Sequence, residues 1–173
     1  MKDDVFKVMI FHGDKLIRKI LKEEILKVVP NTLFVTASTK NTFLKKIGWI
    51  TPDLVLSSAT AKINFGLDAL LYIKKNLSGI PFIYILDHKQ ARNNSLTAIL
   101  AEADGIIDIS QKNQIIKVIN EILPGIKKYK KFREAEVLEL YQQLLLAQKS
   151  IALSTKGYFR TQQIARLNIL MNR

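Results

Sequence analysis

The sequence predicts an α/β domain built on a parallel sheet with helices on both faces, followed by a small all-α C-terminal region. Three observations carry this. Short apolar runs alternate five times with stretches of helical periodicity between residues 5 and 123. Runs such as Leu54-Val55-Leu56 are apolar at successive positions, as strands buried on both faces are. The connections are short, which suits parallel strands joined by crossover helices.

Residues 5–11, VFKVMIF, read as the first strand. Asp14 is placed to cap a helix over 15–28, whose apolar positions Leu16, Ile17, Ile20, Leu21, Ile25 and Leu26 recur at helical spacing. Pro30 and Asn31 break it. Residues 32–36 give a second strand and 38–47 a helix with Phe43, Leu44 and Ile47 on one side. The third strand ends where polar residues begin at Ser57 and Ser58, and its helix covers 67–76. Ser78-Gly79 ends that helix, and 81–86 gives a fourth strand. A helix over 90–103, a strand over 105–109 and a helix over 111–123, closed by Pro124-Gly125, complete the alternation.

Composition bounds the function. The chain has 173 residues, no cysteine and a formal charge of +12. The length suits one domain with a smaller appendage. The lack of cysteine excludes disulfides and thiolate metal sites. No apolar run approaches the roughly 18–20 residues that span a bilayer, and the N-terminus has no signal-peptide pattern. A cytoplasmic location without membrane attachment is expected. The charge is uneven: residues 1–124 carry 17 Lys/Arg and 12 Asp/Glu, whereas 125–173 carry 10 and 3. A tail of net +7 points to an anionic partner, with nucleic acid first.

The stretch 52–68, PDLVLSSATAKINFGLD, resembles the third strand and following loop of two-component receiver domains. Pro52, Asp53, Gly66, Leu67 and Asp68 match that family's pattern, and Ala103-Asp104-Gly105 resembles its turn before the last strand. The resemblance covers residues 5–123 and implies a CheY-like, doubly wound, five-stranded sheet of order 2-1-3-4-5. It also implies where the family's chemistry would lie. In receivers an aspartate at the end of the third strand accepts a phosphoryl group with Mg²⁺ held by an acid pair, and a hydroxyl and a lysine hold the phosphoryl oxygens. Here the acid pair falls on His12 and Gly13, followed by Asp14. The acceptor falls on Ser58, the hydroxyl on Leu86 and the lysine on Ile109, with Ser110 in place of the proline that follows it.

Each substitution removes a function. Hard Mg²⁺ takes carboxylate oxygens, and neither imidazole nor glycine supplies one. Serine needs a neighbouring base to become a nucleophile. Leucine and isoleucine cannot bind phosphate. The expected pocket therefore holds no metal and no cofactor, takes no small-molecule substrate and has no catalytic residue, so the chain is not expected to be an enzyme. His12 could form a metal set with Asp14 and His88, or it could be a histidine hydrogen-bonded to a neighbouring acid. The second is favoured because no paired ligand motif exists. The Ile109–Ser110 peptide is expected to be trans.

The rest divides into a basic linker over 125–132 and a helical region over 133–173. The latter resembles a LuxR-type helix-turn-helix. Arg133-Glu134-Ala135-Glu136-Val137-Leu138 is similar to that family's opening, Ile151-Ala152 to its Ile-Ala pair and Asn168-Ile169-Leu170 to the end of its recognition helix. Leu144-Leu145-Leu146-Ala147 replaces its first, usually Gly-containing, turn, and a second turn is read around Ser154–Tyr158 with Gly157. On this resemblance Lys156, Arg160, Gln162, Gln163 and Arg166 would face double-stranded DNA, and Lys127, Lys128, Lys130 and Lys131 would hold phosphates. The expected function is a response-regulator-like protein whose receiver, independent of phosphorylation, mediates protein contacts while the tail binds DNA. The alternative is an adaptor whose helical tail forms a homodimer or docks a protein partner.

Overall fold

The computed structural model describes residues 5–58, 65–86 and 102–171, and for residues 65, 67 and 149–171 the backbone alone. The chain divides into two compact units, Met1–Lys130 and Lys131–Arg173.

In the first unit the order is β1 (Phe6–Phe11), α1 (Lys15–Val28), β2 (Thr32–Ala37), α2 (Lys40–Ile47), β3 (Leu54–Ser57), α3 (Phe65–Asn76), β4 (Phe82–Leu86) and β5 (Gly105–Asp108). The five strands form one parallel sheet of order β2-β1-β3-β4-β5, as the resemblance implied. The expected helix over 90–103 falls almost entirely outside the described residues, as does His88.

Alternation along the strands sorts the core into two layers. Phe6, Val8, Ile10, Leu54, Leu56, Ile83, Ile85 and Ile107 pack with Leu21 and Ile25 of α1 and with Ile115, Ile119 and Ile126. Met9, Phe11, Val55, Phe82 and Tyr84 face the other way, onto Phe43 and Ile47 of α2 and Leu70 and Ile73 of α3. The central strands β1 and β3 lie between the two layers, which is why they read as largely apolar runs, broken in β1 only by the half-buried Lys7.

Caps sit where side-chain chemistry places them. Asp14 caps α1, its Oδ1 accepting the Leu16 amide at 2.7 Å. Thr39 and Thr42 form a capping box at the start of α2, which therefore begins two residues later than the periodicity suggests.

The final helix departs most from expectation. A single helix, α4, runs over Lys112–Met171 and contains Pro124. The stop at Pro124-Gly125, the linker over 125–132 and the turn at 154–158 are all helical instead. Pro124 removes one backbone donor, an interior cost of about 3 kcal/mol. Packing in the next two turns offsets it. Ile126 is buried in one core layer and Tyr129 packs on the other. A buried isoleucine alone contributes about 1.5–3 kcal/mol. Beyond it the Lys-, Glu-, Gln-, Leu- and Ala-rich residues 127–149 have high helix propensity, and single Ser and Gly residues cost too little to stop it.

In the second unit α4 carries large apolar side chains that remain exposed: Phe132, Val137, Leu138, Leu140, Tyr141, Leu144, Leu145 and Leu146. Val137, Leu140, Tyr141 and Leu144 recur three and four apart and form one face. No described helix is long and apolar enough to cross a membrane.

Candidate functional site

In parallel α/β sheets the chemistry gathers at the carboxyl ends of the strands. Backbone hydrogen bonds draw the expected positions together there. The His12 amide donates to Ala37 O at 3.1 Å, the Ser58 amide to Phe11 O at 3.3 Å and the Ile109 amide to Leu86 O at 3.2 Å. His12, Ser58, Leu86 and Ile109 thus lie along one edge, in the strand order that receivers use.

Among the described residues, the side chains at this edge do not form an acidic metal site. His12 is 3% exposed, and its Nδ1 accepts the backbone amide of Asp14 at 3.0 Å. In this contact the partner is the main-chain N–H of the neighbouring Asp14. As an acceptor Nδ1 carries no proton, so this imidazole is the neutral Nε2–H tautomer. Gly13 is exposed and adds no side chain. Asp14 points its carboxylate back along α1 as the cap already described. Ser57 and Ser58 are buried, and their hydroxyls have no hydrogen-bond partner among the described residues. On the far side Asp108 Oδ1 accepts the Ser110 amide at 2.9 Å and the Ser110 hydroxyl at 2.6 Å, serving its own turn. No cis peptide occurs among the described residues, so Ile109–Ser110 is trans as expected. Among the described residues no group of three His, Cys, Asp or Glu is placed to hold a metal.

Sequence reasoning missed one participant. Arg18 Nη1 donates to the carbonyl oxygens of His12 and, at 3.0 Å, of Gly13. Its guanidinium thus stands on the loop after β1, where a receiver would need negative charge for Mg²⁺. The signal was available: Arg18 lies one turn into α1, and helical side chains lean toward the N-terminus.

The tail positions separate. Lys127, Lys128 and Lys131 are exposed. Lys130 is not available to phosphates. Its ammonium lies 3.4 Å from the Asp53 carboxylate and donates to Val5 O at 3.0 Å, with 12% of its side chain exposed. One residue earlier, Tyr129 packs on the core, which brings Lys130 to the amino end of β3, so the reading of Lys130 as a phosphate contact is corrected. Lys156, Arg160, Gln162, Gln163 and Arg166 belong to the helical backbone of α4, and their side chains lie outside the description. The backbone has no turn between 112 and 171, so the two helices of a helix-turn-helix are not separated.

No family model and no curated protein matches the sequence, whereas solved structures do. A response regulator receiver domain protein from Clostridium thermocellum is 19% identical with a TM-score of 0.56, covering 74% of this chain and 99% of that one. The non-phosphorylated receiver domain of the stress response regulator RcsB from Escherichia coli is 15% identical with a TM-score of 0.52, covering 72% and 95%. The fold is the CheY-like receiver fold. A third neighbour is a yeast Spc42 trimeric coiled-coil segment fused to another structure, 19% identical with a TM-score of 0.58, covering 77% of this chain and 83% of that one.

Proposed function

We propose that this chain is a signalling module, a receiver fold that works without phosphorylation and transmits through protein contacts. One observation carries the reading. At the edge where an acceptor and its metal would sit, Ser58 takes the acceptor's place and Asp14 is committed to capping α1. Mg²⁺ requires several oxygen ligands, usually including carboxylates, and the Arg18 guanidinium beside the loop opposes a second cation. Acetyl phosphate with Mg²⁺ is expected to leave the intact mass unchanged. A phosphorylated species that disappears in Ser58→Ala would overturn the reading.

In the same reading α4 pairs with a second copy. Support comes from its unbroken helix and the exposed Val137, Leu140, Tyr141 and Leu144 on one face. An apolar stripe at this spacing is buried by helix–helix packing. The neighbour that contains a trimeric coiled coil agrees with self-association. Sedimentation of the full chain is expected to give an oligomer that Leu144→Glu with Tyr141→Glu dissociates, and a monomeric wild type would remove this part.

Duplex DNA is the second reading, favoured by 10 Lys/Arg against 3 Asp/Glu over 125–173. Exposed Lys127, Lys128 and Lys131 would bind phosphates, so affinity would fall steeply with salt and the slope would flatten by about one unit per neutralised lysine.

A further inference from the structure

We propose that the cleft beside Trp49 is a docking site for an acidic protein segment that carries an apolar anchor residue. The cleft lies between β2 and α2, holds about 490 Å³ and is lined by Val35, Thr42, Lys45, Lys46, Trp49 and Ile50. None of its lining residues is one of the carboxyl-edge positions His12, Ser58, Leu86 and Ile109, and nothing in the receiver reading uses it.

Three features select the occupant. The first is Trp49, the chain's only tryptophan, which is 83% exposed just past the end of α2. Its amide and that of Ile50 both donate to Lys46 O at 3.1 Å, so the backbone under the indole is held rather than frayed. A large exposed aromatic on a held backbone beside an apolar cleft is suited to anchor an interface centre. The second is charge. Between Pro30 and Thr51 there are three lysines and no acid. Lys40 is paired with Asp68 at 3.3 Å. Lys45 and Lys46 are exposed on the cleft's rim, and Lys46 is steadied by donating to Thr36 O at 2.7 Å. The third is position, since β2 is an edge strand of the sheet. A sheet edge beside a pocket for alternate side chains is a recurrent peptide-binding arrangement.

The chemistry is then divided. Val35, Ile50 and the Trp49 ring receive an apolar side chain, while carboxylates beside that anchor meet the Lys45 and Lys46 ammonium groups. An apolar lining favours a protein segment over a nucleic-acid backbone, which has no aliphatic anchor to bury.

Trp49 also reports on its own site. The full chain is titrated with a short synthetic peptide of glutamates around a central Leu-Leu, with its Leu→Ser and Glu→Lys counterparts, and with an oligothymidylate of similar length. The glutamate–leucine peptide alone is expected to shift tryptophan emission to the blue at saturation. Changing Lys45→Glu and Lys46→Glu together should weaken it by about tenfold or more, since each exposed pair contributes modestly. Trp49→Ala, followed by calorimetry because the reporter is gone, should lose binding while circular dichroism stays unchanged. No emission change with any probe would overturn the proposal. So would equal responses to the serine peptide or the oligothymidylate, which would mark a general polyanion surface.

Discussion

The two ends of the sheet use the same side chains to opposite effect. At the amino end, Asp53 Oδ2 accepts the Lys7 amide and Asp104 Oδ2 accepts the Phe82 amide, both at 2.8 Å. Each carboxylate thus ties the start of one strand to the start of its neighbour. Lys130 adds charge to Asp53, Lys74 Nζ lies 3.0 Å from Asp104, and the Tyr129 hydroxyl donates to Ser78 O at 2.6 Å. At the carboxyl end, Asp14 and Asp108 serve their own turns, and the buried Ser57 and Ser58 hydroxyls have no hydrogen-bond partner among the described residues. The residues that match the receiver pattern, Asp53 and Asp104, are braces, while the positions that depart from it are those where chemistry would occur. The frame and the edge where receiver chemistry would occur therefore rest on separate groups, so one can change without the other.

The comparison breaks most directly at Asp53. The Asp53 side chain is 1% exposed and Lys130 12%, so removing one partner strands a buried charge. Asp53→Ala is expected to cost about 3–5 kcal/mol in urea unfolding, the range for breaking a buried pair. Asp53→Asn keeps an acceptor for the Lys7 amide and should recover part of that. If Asp53→Ala costs no more than a surface change, the amino end is not the braced one.

Gly79 tests the same end from the side of the last helix. It has φ +91°, and a β-carbon there would overlap the Tyr129 ring. Left-handed backbone costs a non-glycine residue about 1–2 kcal/mol, and displacing Tyr129 adds to it, so Gly79→Ala should lose about 2–3 kcal/mol. In the background of Tyr129→Ala the steric share should vanish and the backbone share remain, which a double-mutant cycle separates.

Much of this was legible in the sequence. Apolar runs located all five strands, and Asp14 as a cap and Ser58 at a strand end follow from local chemistry. The illegible parts have a common cause. Pro124-Gly125 reads as a stop because local preference is all a window sees, but Ile126, Tyr129 and Lys130 make contacts with residues distant in sequence that hold the helix past it. The same contacts took Lys130 out of the basic patch. The neighbouring Lys127, Lys128 and Lys131 are exposed. At the carboxyl edge the missing acids were readable one by one, whereas Arg18 reaching back to the loop carbonyls needed the helix direction.

The carboxyl end should respond in the opposite sense. A buried hydroxyl without a partner carries a desolvation penalty of about 1–3 kcal/mol that alanine would not. Ser58→Ala is expected to raise stability by about 1 kcal/mol, the lower end, because removing the oxygen also loses packing. Thermal unfolding measures it. A loss of more than about 1 kcal/mol would mean that the hydroxyl is bonded in solution and that this end is braced too.

The smallest effect decides whether the amino-end anchor acts through a continuous helix. Gly125 lies inside α4, exposed, and a β-carbon there would meet nothing within 4 Å. In an open helical position alanine is favoured over glycine by about 0.8–1 kcal/mol. Gly125→Ala should therefore stabilise the chain by somewhat less than Ser58→Ala, since Pro124 beside it already weakens the ladder. A linker would respond otherwise: where the backbone is irregular, the substitution is neutral, or destabilising if φ is positive. Pairing it with Tyr129→Ala sharpens the point. If Tyr129 and Lys130 hold the helix together past Pro124, removing the tyrosine should loosen residues 124–130 and shrink the benefit of Gly125→Ala. Equal benefit in both backgrounds would mean that the helix persists on its own propensity and that the amino-end contacts follow from it rather than cause it.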